Sequence, residues 1–292
     1  MQLEPWRLKT GTSQIALKGT LAADAHPTRL QLELVPLNMG EIGRLLGEQT
    51  LQGEVRGVLQ AAGPTEALEF DGRLSAGSGE MLLSGALDTQ GPLPAYQGSL
   101  QLSKFDLAEL ISRDALRSDL NVKLQLQAEG LSPRELDGDL ELLIGPSQIG
   151  DVTIKPSKVH LSAGSEQLQV QQFQLLTSAF SAVLAGEIDL TGASALTYRV
   201  EVELERLREL MAVNALSGKA QLHGRVTGTW PDTYVDGRLE ASGILFDDTA
   251  LQALELGYRV AGFASEPTVT AKLDARAARI GGIEIESASG DT

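Results

Sequence analysis

Residues 120–128 read Leu-Asn-Val-Lys-Leu-Gln-Leu-Gln-Ala, so apolar and polar side chains alternate at every position. The same period of two occurs at residues 30–34 and 196–204. Because successive side chains of a β-strand point to opposite faces of the sheet, each stretch predicts a strand with one apolar face and one polar face. Parallel sheets covered on both faces use continuous Val and Ile runs instead, so the alternation favours an antiparallel sheet with one solvated face.

Three short segments carry apolar residues at helical spacing instead. Their positions i, i+3 and i+4 are Ile42/Leu45/Leu46, Leu107/Leu110/Ile111 and Leu207/Leu210/Met211. The spacing predicts three amphipathic helices of two or three turns, which lie on the apolar surface of the sheet or close its end. We expect Asn38 and Glu41 to cap the first helix reciprocally, each side chain bonding to the backbone amide of the other residue, and Asp106 and Glu109 to do the same in the second.

These elements recur in a fixed order: a strand with a central glycine, a helix, an alternating strand and an Asp-Gly step. The glycine-centred strands are residues 17–21, 83–87 and 184–188, and the Asp-Gly steps are Asp71-Gly72, Asp137-Gly138 and Asp236-Gly237. We expect each Asp-Gly step to be a tight turn or a strand start with positive φ at Gly. Residues 1–292 are then one continuous array with approximate repeat units 13–78, 79–179 and 180–292, stabilised by stacking of neighbouring units.

The repeat style resembles that of a known family. The run at 216–228, Leu-Ser-Gly-Lys-Ala-Gln-Leu-His-Gly-Arg-Val-Thr-Gly, followed by Val235-Asp236-Gly237-Arg238-Leu239, resembles the AsmA-like envelope proteins, and among them the TamB type. TamB-type proteins are the inner-membrane subunits of the translocation and assembly module. The resemblance covers nearly the whole chain, through its repeats rather than through an invariant motif.

The resemblance implies a long, mostly β protein that spans the periplasm of a Gram-negative bacterium and is anchored in the inner membrane. Its sheet would curl into a taco-shaped half-pipe that carries phospholipid between membranes. A C-terminal part of the parent chain would meet an outer-membrane β-barrel partner. Because the sequence ends within an alternating pattern at Ile283-Glu284-Ile285-Glu286, we expect this chain to be an internal segment of such a protein.

The composition excludes whole classes of function. With 24 basic against 39 acidic residues the net charge is −15, which disfavours binding to nucleic acid or to anionic lipid through a basic patch. The absence of cysteine excludes disulfides, Cys-ligated zinc, iron–sulfur clusters and thiol catalysis. An aromatic content of 4% offers few platforms for stacking sugars.

The candidate catalytic and metal-binding residues have ordinary structural explanations. His26, His160 and His223 are scattered without ligand spacing, and we expect them on the surface or in turns. The carboxylate pairs Asp247-Asp248 and Glu284/Glu286 are expected in a turn and on the polar face of a strand, where solvation prevents the pKa splitting that acid–base catalysis needs. The sequence therefore predicts no catalytic residue, no metal and no cofactor.

The apolar face is what remains to carry a function. It could be the core of an ordinary two-sheet sandwich, or an open trough for hydrocarbon, and alternation alone does not separate these. The repeat array favours the trough: an elongated all-β half-pipe of about 18 to 22 antiparallel strands with an apolar groove and three short helices. The predicted groove lining is Leu30, Leu32, Leu34, Leu120, Val122, Leu124, Leu126, Leu196, Tyr198, Val200, Val202, Leu222 and Val226.

The function predicted from this lining is passive conduction of phospholipid acyl chains along the groove towards the outer membrane. Two other classes stay open. One is a scaffold that assembles outer-membrane β-barrel proteins by pairing strands at an exposed sheet edge. The other is a secreted β-solenoid that binds polysaccharide, which would need carboxylates and aromatic residues converging on one face.

Overall fold

The chain folds as an all-β protein built from antiparallel strands. The structure is a computed structural model that describes residues 2–21, 27–48, 50–113, 116–164, 166–208, 211, 213, 215–230, 232–247, 249–262, 267–280 and 283–291. It contains 20 strands, within the range that the sequence predicts. The strands belong to two compact units: unit 1 is residues 1–132 with 136–150, and unit 2 is residues 133–135 with 151–292.

Unit 1 is an antiparallel meander in which each strand from β1 to β9 pairs with the next one along the chain. The short strand β10 pairs with the start of β8. The strands are β1 (Gln2–Thr10), β2 (Ser13–Thr20), β3 (Thr28–Asn38), β4 (Glu54–Gly63), β5 (Ala67–Ala76), β6 (Gly79–Asp88), β7 (Ala95–Phe105), β8 (Ser118–Glu129), β9 (Asp137–Ile144) and β10 (Ser147–Ile149).

Unit 2 is a second meander of the same kind, in which each strand from β12 to β20 pairs antiparallel with the next. Its strands are β11 (Val152–Ile154), β12 (Ser157–Gly164), β13 (Gln167–Leu176), β14 (Phe180–Asp189), β15 (Ser194–Glu203), β16 (Leu216–Thr229), β17 (Asp232–Phe246), β18 (Thr249–Ala261), β19 (Thr268–Ile280) and β20 (Ile283–Asp291). Most strands are separated from the next by only a few residues, which favours antiparallel pairing of sequence neighbours; the connection from β15 to β16 is longer and includes a 3₁₀ helix.

Of the three predicted helices, only the first is an α-helix. Helix α1 (Met39–Leu46) connects β3 to β4, whereas 3₁₀ helices at Leu107–Glu109 and Leu204–Leu207 stand at the second and third positions. The prediction of an amphipathic α-helix is therefore wrong for the second segment, while the third predicted helix falls partly outside the described residues, which do not include Leu210. Leu45 and Leu46 of α1 are 82% and 70% exposed, so this part of the helix does not pack on the sheet as expected.

The predicted reciprocal caps are also only half correct. The Asn38 side chain accepts from the Glu41 amide at 3.1 Å, as a helix N-cap does. The Glu41 carboxylate, however, turns away to the β1–β2 turn, while the Asn38 amide donates to the Ser13 hydroxyl at 2.9 Å. In the second segment Asp106 accepts from the Ala108 amide at 3.0 Å rather than from Glu109.

The Asp-Gly steps correct another expectation. Gly138 follows the first residue of β9 with φ 158°, as predicted for a strand start. Gly72 and Gly237, in contrast, lie inside β5 and β17. A Cβ at Gly72 would overlap the Leu59 side chain, and one at Gly237 would overlap a tyrosine hydroxyl. A neighbouring side chain over the strand, rather than a turn, therefore occupies the space beside these two glycines.

The protein has little fully enclosed core. No large side chain of the described residues is fully buried, and the chain exposes 17707 Å². A compact monomer of this mass would expose about 12,000 Å², and even two separate compact domains of half the mass would expose about 14,000 Å². Much of the apolar side-chain surface is therefore only half-covered by protein.

Candidate functional site

The strand register of unit 1 aligns apolar residues into continuous rows on one face of its sheet. One row crosses β1 to β9 through directly paired residues: Trp6, Leu17, Leu32, Leu59, Gly72, Leu83, Leu100, Leu124 and Leu142. The row beside it is Leu8, Ile15, Leu34, Gly57, Leu74, Met81, Leu102, Val122 and Ile144. Since directly opposite residues of paired strands share a face, these rows form one apolar surface.

Unit 2 carries rows of the same kind. One row runs from β13 to β19 through Leu175, Ala182, Val200, Leu222, Leu239, Leu256 and Leu273. A second runs from β12 to β19 through Leu161, Val170, Gly186, Leu196, Val226, Val235, Val260 and Val269. We call the face that holds these rows in each unit its apolar face.

The structure places the predicted lining residues of each unit on its apolar face. Leu34, Leu120 and Leu196 are buried, and the other predicted lining residues are half-buried. Most residues of these rows, including those of β6 and β9, are not among the predicted lining residues. The signal was present at i, i+2 in residues 81–87 and 140–144, but apolar residues on the opposite face, Leu82 and Leu143, interrupt the alternation.

The opposite face of each sheet is mostly polar and solvated. In unit 1 Lys18 and Glu33 form an ion pair of 2.9 Å, and the hydrogen bond from Lys18 lowers the pKa of Glu33. In unit 2 Arg238 lies 3.2 Å from Glu255. Exposed pairs of this kind add little stability. Because polar side chains lie on this face and apolar rows on the other, one face of each sheet is hydrated and the other is hydrophobic.

Two tyrosines form the polar feature in the middle of the apolar face of unit 2. Tyr198 on β15 and Tyr258 on β18 stand in one row, separated by Gly224 on β16 and Gly237 on β17. Both rings lie over the glycines, and the two hydroxyls are hydrogen-bonded to each other. Burial and then the hydrogen bond with Tyr258 raise the pKa of Tyr198, so its phenol is neutral at physiological pH.

Unit 1 has an aromatic residue over glycine as well, but without a hydroxyl. The Phe70 ring on β5 covers Gly85 on β6, where its Cζ atom occupies the space a Cβ would need. Gly98 on β7 stands next in that row and is open, since the nearest atom to a Cβ there is the Ser84 carbonyl oxygen at 3.8 Å. Aromatic rings thus cover Gly85, Gly224 and Gly237 on the apolar faces, whereas Gly98 is left open.

The residues considered for catalysis do not come together. His160 and His223 lie within β12 and β16, not in turns, and are half-buried, while His26 and Asp248 fall outside the described residues. Asp247 follows β17 in a turn, as predicted. Glu286 is exposed in β20, and the placement of the Glu284 side chain is not described. Among the described residues no group of three His, Asp or Glu side chains could hold a metal ion.

These observations define an all-β protein of sequentially paired antiparallel strands with one apolar and one polar face. No helix within the described ranges is both long and apolar enough to cross a membrane. Comparison with protein-family models, with curated proteins and with solved structures finds no match to the chain.

Proposed function

We propose that this chain is a non-enzymatic lipid-transfer segment that conducts phospholipid acyl chains along its apolar faces and leaves the headgroups in water. The observation that carries the proposal is the pair of apolar rows that cross β1 to β9 in unit 1, each with a single glycine among its apolar residues and with most side chains only half-buried. An ordinary core would bury the same leucines against an opposing layer.

The energetic need for such a surface is large. Burial of a methylene group is worth about 0.8 kcal/mol, so exposing one 16-carbon chain to water costs roughly 13 kcal/mol. A continuous apolar row removes most of this barrier because each step along the sheet exchanges one hydrocarbon contact for another. No bond is broken, and the sheet supplies no direction; direction comes from the membranes or from other parts of the parent protein.

The rows are long enough for this task. With strands about 4.8 Å apart, nine strands span about 38 Å along a row of unit 1. One leaflet of a bilayer gives an acyl chain about 15 Å of hydrocarbon depth, half of the roughly 30 Å core. Each row therefore offers more than one chain length, so a lipid can move along it without leaving the apolar surface.

The wider setting of the proposal is the bacterial envelope. We place the segment in the periplasm, with each sheet curved around its apolar face into a groove and the parent chain reaching an outer-membrane β-barrel partner. Support for this setting comes from the repeat style of residues 216–239 and from the net charge of −15, which suits a soluble polar face.

Adjacent residues of β8 provide the test. Leu124 lies on the apolar face and Lys123 on the polar face, so Leu124→Asp and Lys123→Asp place the same carboxylate on opposite sides of one strand. We expect Leu124→Asp to lower the transfer of fluorescent phosphatidylethanolamine between vesicles about tenfold or more, because a charge in hydrocarbon is costly. Lys123→Asp should change transfer less than about twofold.

Both variants must first be shown to have the same urea midpoint, so that loss of transfer is separated from loss of fold. Equal effects of the two carboxylates at equal stability would contradict conduction along the apolar face. Native mass spectrometry of the purified chain gives a second readout, since the proposal expects bound phospholipid in the parent and in Lys123→Asp but little in Leu124→Asp.

A further inference from the structure

The Tyr198–Tyr258 pair places two hydroxyl groups on a surface that is otherwise hydrocarbon. The rows on both sides of the pair are aliphatic: Val200, Leu222, Leu239 and Leu256 on one side, and Leu196, Val226, Val235 and Val260 on the other. The hydroxyls meet above Gly224 and Gly237, which have no side chains of their own to shield them. Polar atoms on an apolar surface are normally there because they form hydrogen bonds.

Covering the glycines does not require hydroxyl groups. In unit 1 Phe70 covers Gly85 with a plain phenyl ring. Phenylalanine at 198 and 258 would fill the same space and would bring no polar atom to the apolar face. The hydroxyls therefore need an explanation other than packing.

The two hydroxyls carry two protons, and only one of these protons is in a short hydrogen bond. Two O–H groups are present, and one of them donates to the oxygen of the other tyrosine. The Tyr198 hydroxyl also donates to the Asp236 carbonyl oxygen, but at 3.5 Å, well beyond the 2.5–3.0 Å of a good O–H···O bond. One donor is thus held only by this long bond and can turn to an acceptor oxygen that arrives on the apolar face.

We infer that the Tyr198–Tyr258 pair is a binding site for the ester carbonyl oxygen of an acyl glycerolipid. The inference rests on the proposed function, and it adds that unit 2 recognises an esterified chain rather than hydrocarbon alone. The ester carbonyl accepts the phenolic proton that otherwise makes the long bond to Asp236, while its acyl chain lies on the aliphatic row at either side. The hydrogen bond between the two phenols fixes the position of the donor, so the ester group of the lipid is held at this point of the sheet.

The test compares two phosphatidylcholines that differ only in the carbonyl. Dipalmitoyl phosphatidylcholine has ester carbonyls, and dihexadecyl phosphatidylcholine has ether links at the same positions. One net hydrogen bond corresponds to a factor of about five in affinity, so the whole chain should bind the ester lipid about fivefold more tightly than the ether lipid. In the double variant Tyr198→Phe/Tyr258→Phe the ratio should fall to about one, with binding of the ether lipid unchanged.

A matched control is Tyr96→Phe in unit 1, whose hydroxyl donates to the Gly130 carbonyl oxygen at 3.2 Å and already has a partner. This variant should keep the fivefold ratio. Infrared spectra with ¹³C-labelled ester carbonyls give an independent readout: the bound carbonyl band should lie at lower wavenumber in the parent than in the double variant.

An ester-to-ether ratio near one in the parent chain, or a ratio that survives the double substitution, overturns the ester site while leaving acyl-chain binding intact. Failure of the parent chain to bind either lipid overturns the proposed function and the ester site together. The two failures are therefore distinguishable in one titration.

Discussion

At the scale of single residues, glycines mark where another group needs the space above a strand. A Cβ at Gly186 would overlap the backbone carbonyl oxygen of Ala195 on the paired strand, and Gly186 has φ 117°. Gly257, on the polar face of the same unit, has no atom within 4 Å of its missing Cβ. Two strand glycines of one sheet thus have opposite tolerance for a side chain.

We expect Gly186→Ala to destabilise the protein by about 1–3 kcal/mol, because an L-residue is strained at that φ and the partner strand must shift. Gly257→Ala should leave stability unchanged or raise it by up to about 1 kcal/mol, since it only reduces the freedom of the unfolded chain. Urea unfolding of both variants measures the difference. A neutral Gly186→Ala variant would show that the close approach to Ala195 is not required by the fold.

Sequence alone identifies many lining residues but not the tyrosine pair. Leu124 and Val200 follow directly from a period of two, because the strand itself fixes which face each side chain takes. Tyr198 and Tyr258 are 60 positions apart, and their meeting depends on the register of three successive strand pairs. A single residue of slip in any of those pairs would send one ring to the other face, and no local pattern reports that register.

At the scale of elements, helix α1 is fastened to the β1–β2 turn by one carboxylate. Glu41 accepts from the Thr12 amide at 2.7 Å and from the Thr10 hydroxyl at 2.8 Å. Hydrogen bonds from the Ser13 hydroxyl, then from Thr12 and Thr10, lower the pKa of Glu41 from 4.5 to about 2. The anchor explains why the carboxylate does not return to the Asn38 amide: the turn offers it more donors.

The lowered pKa gives the Glu41 contact a pH dependence of known sign. A carboxylate whose pKa is depressed on folding stabilises the protein above its unfolded pKa of about 4.5, and this stability is lost as pH falls towards 2. We expect Glu41→Gln to lower the urea midpoint at pH 6 and to do so much less at pH 3.

The matched control is Glu48→Gln, just beyond the end of α1, which should move the midpoint little at either pH. A midpoint difference for Glu41→Gln that is the same at pH 3 and pH 6 would mean that its charge does not anchor the helix.

The second helical segment shows why spacing alone over-predicted helices. Asp106 accepts from the Ala108 amide and also from the Ser118 amide of β8, at 2.8 Å. Leu51 and Ile111 form an isolated bridge just beyond this segment. The chain is thus drawn back into strand pairing after a single 3₁₀ turn, and tertiary pairing overrides the weak preference of so short a helix.

At the scale of the whole molecule, the large exposed area and the apolar rows both indicate that apolar side chains are incompletely covered by protein. The chain exposes 17707 Å², and no large side chain of the described residues is fully buried, so the described strands enclose less core than those of a compact domain of this mass. Its stability must come from many strand-to-strand contacts of similar kind. An amphiphile that covers the apolar faces should therefore stabilise the protein rather than denature it.

We expect the urea midpoint to rise with the concentration of a short-chain phosphatidylcholine, because a ligand that binds only the folded state adds RT ln(1 + [L]/Kd), about 2.7 kcal/mol at a hundredfold excess over Kd. Leu222→Asp should abolish most of this rise, whereas Gln221→Asp, its exposed neighbour on β16, should retain it. A core closed by protein predicts the opposite for the parent chain: lipid would leave the midpoint unchanged or lower it. The lipid dependence of unfolding thus decides whether the half-buried leucines and valines are a surface for hydrocarbon or only the thin core of a sheet.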